Sequence, residues 1–321
     1  MENIAHIVAP RGDHTQTIIF LHGRDSIASE FAEEFFESQA SDDRTLPEIF
    51  PTTRWVFPTS KIRNSARFET PMSQWFDMWS VENHLEKNET QIEGLRESVK
   101  EILDLIRTEA VLISPDRIIL GGISQGCATA IHTLLYGGIR LGGFIGLSSW
   151  LPFEAEITTA MADNLEWSVV RDGFRNRLHY SHETLNTLTE QAETTSVLSD
   201  LSSDFVLETP VFLSHSWDDD VVPIGNGKKL CTTLEKLGMV VSWKQYKDGG
   251  HWVNEPRGVD DIVSFIHSCC RVQPDKEVIS NITASTPVPE QVVPKPAVSQ
   301  RATVASSNPG LSPLPNSGSS M

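Results

Sequence analysis

"GGISQG", residues 121–126, follows the apolar run Arg117-Ile-Ile-Leu120 and leads into the small residues Cys127-Ala-Thr-Ala130. An apolar run ending in glycine reads as a buried strand, and the small-residue stretch that follows reads as a helix. A lone serine between two glycines at such a junction fits the G-x-S-x-G turn. That turn lifts a serine hydroxyl above the carboxyl end of a parallel sheet. The competing reading is a tight strand-to-helix turn that happens to contain a serine. The surrounding sequence decides between them.

Short apolar runs recur on both sides of this turn: Thr17–Leu21, Arg54–Phe57, Arg117–Leu120, Gly143–Leu147, Pro210–Leu213 and Val241–Tyr246. Several are continuous rather than alternating, as expected of parallel strands covered on both faces. Helical periodicity lies between them. Residues 91–107 carry Ile92, Leu95, Val99, Ile102, Leu103 and Ile106 on one stripe, and Thr90-Gln-Ile-Glu93 has the form of a capping box. Further helices are expected from Gly126 to Tyr136, from Lys228 to Leu237, and over Val259, Ile262, Val263 and Ile266. Strand–helix alternation of this kind implies an α/β fold, with a mostly parallel central sheet and helices on both faces.

Two segments depart from that rhythm. Residues 154–208 hold eleven acids against three arginines and read as a partly helical insertion, a candidate lid over one end of the sheet. Residues 273–321 hold eight of the 18 prolines and no Trp, Tyr or Phe, so the expectation is a disordered Pro/Ser-rich tail after a single domain over 1–272.

Composition excludes several classes. A formal net charge of −17 leaves no basic stripe to displace phosphate counterions, so no nucleic-acid partner is expected. The same charge opposes lasting adhesion to an anionic leaflet, leaving at most transient membrane contact. Four cysteines, with Cys269 and Cys270 adjacent, make no disulfide framework. The N-terminus lacks a basic region followed by an apolar stretch, and no run approaches membrane-spanning length. The expected location is cytoplasmic.

A serine hydroxyl is a poor nucleophile without a base, and the base needs an orienting acid. The α/β-hydrolase fold places these in the order Ser, acid, His, on loops after strands. Downstream of Ser124, "SHSWDDDVVP" (214–223) follows the strand ending at Leu213, and "DGGHWVNEP" (248–256) follows the strand ending at Tyr246. His251 therefore falls at the carboxyl end of the sheet, where open α/β sheets bind ligands. The acid is one of Asp218, Asp219 and Asp220. Oxyanion donors are expected from the backbone N–H of Gln125, just after the serine, and from that of Arg24 in "FLHGRDS" (20–26). Trp75, Phe76, Trp79, Trp150 and Leu151 are candidate walls of an acyl pocket. His179 and His182, three apart, lack a third ligand, and neither metal nor cofactor is expected.

The segments "FLHGRDS", "SQWFDMWS" (73–80), "GLRESVKEIL", "DRIILGGISQGCA", "GLSSWLPF" (146–153), "HSWDDDVVP" and "GGHWVNEP" together resemble the acyl-protein thioesterase and phospholipase/carboxylesterase family of small α/β-hydrolases. The resemblance spans about residues 10–153 and 209–268. It implies a cytosolic serine hydrolase that needs no cofactor and acts on S-acylated proteins, lysophospholipids or simple esters. It makes Ser124 the nucleophile, His251 the base and Asp219 the acid, counted four residues after His215 and before Val222-Pro223. Three departures stand out: Asp25 where a glycine is usual, Cys127 where a glycine is usual, and the long insertion. The rival expectations are a general carboxylesterase for small esters and a non-catalytic ligand-binding module on the same scaffold. Oligomeric state is not legible.

Overall fold

The computed structural model describes residues 5–162, 171 and 203–270. The chain divides into two units, Met1–Val272 and Gln273–Met321, and every described residue lies in the first. The expected tail therefore lies outside the described residues, as does most of the insertion.

The chain opens with β1 (Ala5–Val8), β2 (Gln16–Leu21), α1 (Ala28–Glu37) and the single turn α2 (Leu46–Ile49). β3 (Thr53–Pro58) follows, then a small hairpin of β4 (Ile62–Asn64) and β5 (Pro71–Ser73), and the long α3 (Gln91–Ala110). β6 (Ile118–Ile123) runs directly into α4 (Ser124–Gly137), followed by β7 (Gly143–Leu147) and α5 (Glu154–Ala162). After the undescribed stretch come β8 (Val211–Ser216), α6 (Ile224–Lys236), β9 (Val241–Tyr246) and α7 (Arg257–Cys270).

Seven strands among the described residues form one sheet in the order β1-β3-β2-β6-β7-β8-β9. All neighbours pair parallel except β1, which runs antiparallel to β3 with Ala5 opposite Pro58 and Val8 opposite Trp55. Every residue of β2, β6, β7 and β8 is buried, whereas the edge strands β1 and β9 are partly exposed. The period-two geometry of a strand then splits each central strand between two cores. Ile19, Leu21, Leu120, Phe144 and Leu213 join α3, α4 and α6 on one face. Ile18, Phe20, Ile119, Ile145 and Phe212 join α1 and α7 on the other. The sheet is thus mostly parallel with helices on both faces, as the alternation implied.

Several local expectations are corrected. Thr90 does not cap α3: its hydroxyl donates to the Lys87 carbonyl at 3.0 Å, because a 3₁₀ turn over Asn88–Thr90 already leads the chain into the helix. A capping box occurs instead at α2, where Thr45 N–H donates to Glu48 Oε2 at 2.9 Å. α4 begins at Ser124 and α6 at Ile224, each earlier than periodicity indicated. β1, β4, β5, α1 and α2 were not anticipated. The three strands are short and partly exposed, and α2 is one turn. Of the insertion, α5 and a 3₁₀ turn over Ser203–Glu208 are described. Thr233 of α6 donates to Glu154 of α5 at 2.9 Å, and Ile157 is buried in the same core.

Candidate active site

The carboxyl ends of β2, β6, β8 and β9 each deliver a loop to one region. At the β6–α4 junction Ser124 has φ of 55°, a left-handed backbone that costs a residue with a Cβ roughly 1–2 kcal/mol. The flanking glycines make the turn possible. A Cβ on Gly122 would lie 2.8 Å from the Leu21 carbonyl oxygen, and one on Gly126 would overlap the His22 carbonyl. The helix therefore starts pressed against the end of β2, with Ser124 at its first turn. Gln125 follows it there, among the backbone N–H groups that have no intrahelical partner. Ser149 braces the turn by donating to the Ser124 carbonyl at 2.7 Å.

The loop after β2 is locked from below. His22 Nε2 accepts the Ser60 N–H at 3.2 Å, so its proton sits on Nδ1, which donates to the Gly23 carbonyl at 2.6 Å. Burial pushes the His22 imidazole down to about 4, with the Gly23 hydrogen bond opposing that shift. The Trp75 indole N–H donates to the His22 carbonyl at 2.8 Å, and the Trp75 backbone N–H donates to Gln125 Oε1 at 2.9 Å. Asp25, where a glycine is usual, keeps a left-handed φ of 58°. Its carboxylate is exposed at the mouth of the loop.

Of the three consecutive aspartates only Asp219 is buried; Asp218 and Asp220 are exposed. Asp219 Oδ1 accepts the N–H groups of Val221 and Val222 at 3.0 and 2.8 Å, and Oδ2 lies 2.8 Å from His251 Nδ1. Burial raises the Asp219 pKa. Hydrogen bonds from His215, His251 and Val222 outweigh that and hold it well below the usual carboxylate range. Asp218 accepts the Gly250 N–H at 2.9 Å, which ties the His251 loop to the same turn.

Ser124 and His251 line one cavity of about 420 Å³, together with Gly23, Arg24 and Asp25. That volume falls in the range of small-molecule sites. Its apolar walls include Phe31, Phe68, Met72, Val81, Val221 and Trp252. None of the five expected pocket residues is among them. Trp75, Phe76, Trp150 and Leu151 are at most 1% exposed, held in the core between the sheet and α3. Trp79 is half-buried, with the Lys87 ammonium 3.0 Å from its ring centroid. Their periodicity and size could not reveal that they do not face the cavity. Trp75 instead holds the loop after β2 through the His22 carbonyl, and the Phe76 carbonyl accepts the Gln125 side-chain amide at 2.8 Å. Arg24 is tied down by Gln74 and Ser65 at 3.0 and 3.1 Å.

Cys127 is fully buried against Gly146, and burial pushes its thiol up to about 12, so it packs as a small apolar residue. His179 and His182 lie outside the described residues. Among the described residues, no three His, Cys, Asp or Glu side chains gather as a metal site.

The family model described as "Phospholipase/Carboxylesterase" matches residues 2–171. The chain belongs to the phospholipase/carboxylesterase family. It is an ester hydrolase, in a family of serine hydrolases with the α/β-hydrolase fold. The model of the prolyl oligopeptidase family matches residues 95–271, which carry Ser124, Asp219 and His251, in keeping with that fold. Acyl-protein thioesterase 1 of Gibberella zeae is 29% identical over 269 residues, covering 82% of this chain and 94% of the relative. Acyl-protein thioesterase 1 of Saccharomyces cerevisiae is 27% identical over 255 residues, covering 78% and 91%. Among solved structures, Zea mays acyl-protein thioesterase 2 superposes with a TM-score of 0.60 at 22% identity, covering 83% of this chain and 98% of the other. That last likeness is one of fold.

Proposed function

We propose that this member of the phospholipase/carboxylesterase family cleaves fatty-acyl thioesters on protein cysteines, and related lipid esters, through Ser124, His251 and Asp219. The observation that carries the reading is the 2.8 Å pairing of His251 with a buried carboxylate, in a loop that shares one cavity with a serine on a strained strand–helix turn. The names of the fungal relatives support the thioester substrate.

In this mechanism Ser124 attacks the acyl carbonyl as His251 takes its proton. Asp219 holds the imidazole with its proton on Nδ1, leaving Nε2 free to act as base. The N–H groups of Arg24 and Gln125 receive the developing oxyanion. The protonated His251 then passes its proton to the departing thiolate or alkoxide. Water activated by the same imidazole hydrolyses the acyl-enzyme. Residues 1–272 hold the catalytic residues; most of the 154–208 segment and all of 273–321 lie outside the described residues. No helix among the described residues is long and apolar enough to cross a membrane. We assign the protein to the cytoplasm, meeting S-acylated proteins with no more than transient membrane contact.

A small-ester carboxylesterase is the second reading. It is favoured by the absence of Trp75, Phe76, Trp150 and Leu151 from the walls of the cavity. Labelling with a fluorophosphonate probe, followed by peptide mapping, should find Ser124 alone, and Ser124→Ala should remove both label and turnover. Label on Ser148 or Ser149 overturns the mechanism. Matched thioester and oxyester series then separate the substrates. Each methylene buried against Phe31, Phe68 or Trp252 contributes about 0.8 kcal/mol, a roughly fourfold rise in kcat/KM per carbon. A maximum at the acetyl ester establishes the carboxylesterase instead.

A further inference from the structure

Asp219 holds a second imidazole for which the triad has no use. His215, on β8, has a side chain with no exposure, and its Nε2 lies 3.0 Å from Asp219 Oδ2 and 2.8 Å from the Val222 carbonyl oxygen. Its Nδ1 is buried with no hydrogen-bond partner among the described residues. On that side Gly227 of α6 comes so close that a Cβ there would sit 2.5 Å from Nδ1. A neutral ring facing two oxygen acceptors with Nε2 must carry its proton there, since a lone pair would be set against a carbonyl and a carboxylate. Oδ2 of Asp219 is therefore met by two imidazole N–H groups: that of His215 on its core side, shared with the Val222 carbonyl, and that of His251 on its cavity side. With the two backbone donors on Oδ1, four N–H groups meet one carboxylate, which fills its lone-pair directions.

We propose that His215 is a positioning residue for the reaction: it clamps the Asp219 carboxylate so that its remaining lone pair on Oδ2 faces His251 Nδ1. This rests on the triad reading given above. The two histidines share an oxygen but divide the work by location. His251 is one-fifth exposed and lines the cavity; His215 lies between the Trp243 ring of β9 and Gly227, out of reach of a substrate. On the elements that carry the pair, Asp218 and Asp220 of the same turn are exposed, and Lys228, next to Gly227 in α6, has its ammonium 4.0 Å from the Trp217 ring centroid. Without the His215 N–H, the carboxylate can rotate, and Oδ2 turns its full negative charge on His251. That stabilises the protonated imidazole and makes the base harder to free. The clamp thus sets both the direction of the triad bond and its strength.

The test compares kcat, KM and the pH profile of kcat/KM on a p-nitrophenyl acyl ester for the wild-type protein, His215→Phe, His215→Gln and Ser124→Ala. In His215→Phe, kcat should fall ~10- to 100-fold, as for a misplaced catalytic group, with KM nearly unchanged. The acid limb should move to higher pH. His215→Gln, whose amide N–H can reach the same oxygen, should recover most of the turnover and return the limb toward its original place. A purely structural histidine would leave the limb unmoved in both variants. Wild-type kcat and acid limb in His215→Phe, with Ser124→Ala inactive, overturn the role of His215 alone. Turnover that survives Ser124→Ala overturns the triad and this proposal together. Should His215→Phe fail to fold, ¹⁵N spectra of the histidine-labelled wild-type protein decide. A proton on His215 Nε2 supports the clamp, and a proton on Nδ1 overturns it.

Discussion

His22 and His251 occupy equivalent places, each in a loop that leaves the carboxyl end of a parallel strand beside Ser124, yet they are different chemical objects. His22 is fully buried and has both ring nitrogens committed, one to a carbonyl and one to an amide N–H. Burial pushes its imidazole down to about 4, so it stays neutral and braces the loop after β2. His251 has one nitrogen on a buried carboxylate, and its ring opens on the cavity. Position on the sheet brings a histidine to the site. Its partners decide whether it moves protons or holds a loop still.

The sharpest way to break this comparison is at the carboxylate. Asp219→Asn should cost on the order of 10⁴ in kcat, as loss of an orienting aspartate does in serine-protease triads. The exposed Asp218→Asn and Asp220→Asn should stay within about tenfold of wild type. Steady-state kinetics on a single ester ranks all three. A more damaging result at either neighbour would remove Asp219 from its role.

The second test is acid stability. The His22 pKa is lowered from 6.5 to about 4 in the folded protein, so between these values the unfolded chain binds a proton that the folded one does not. Its contribution is therefore whole above pH 6.5 and is lost as pH falls toward 4. The change is on the order of 3 kcal/mol for this one group. Burial lowers His84 and His132 to about 4 as well, so they add to the slope. Urea unfolding at a series of pH values should show stability falling steeply through this window, and less steeply in His22→Gln. A flat curve would contradict three buried neutral histidines.

Trp75→Phe tests the brace itself. It deletes the N–H that holds the His22 carbonyl and should lower stability by about 2 kcal/mol. It should lower kcat while leaving acyl-chain preference unchanged, because Trp75 is no wall of the cavity. Trp252→Ala, by contrast, should change that preference. The smallest effect is expected at Asp25→Gly. Relief of its left-handed φ should add about 1 kcal/mol of stability by thermal or urea unfolding. Turnover should remain near wild type.

What the linear chain determined is local chemistry and its order. The Gly122–Gly126 pattern, the apolar runs before Ser124, Asp219 and His251, and the helical stripe of α3 each lie within a few residues of sequence, and burial forces that pattern on any α/β sheet. The tertiary structure alone decided which groups face one another. Three adjacent aspartates are alike in sequence; the turn after β8 buries one and leaves two in water. Trp75, Phe76 and Trp150 have the size and apolarity of pocket walls, but all three are buried in the core, where Gly94 lets α3 press against the Trp75–Phe76 backbone. Phe31 of α1 and Trp252 of the β9–α7 loop, 221 residues apart in the chain, meet at the cavity with ring centroids 5.7 Å apart. Pairings at such separation are set by how the layers pack, and no short-range pattern records them.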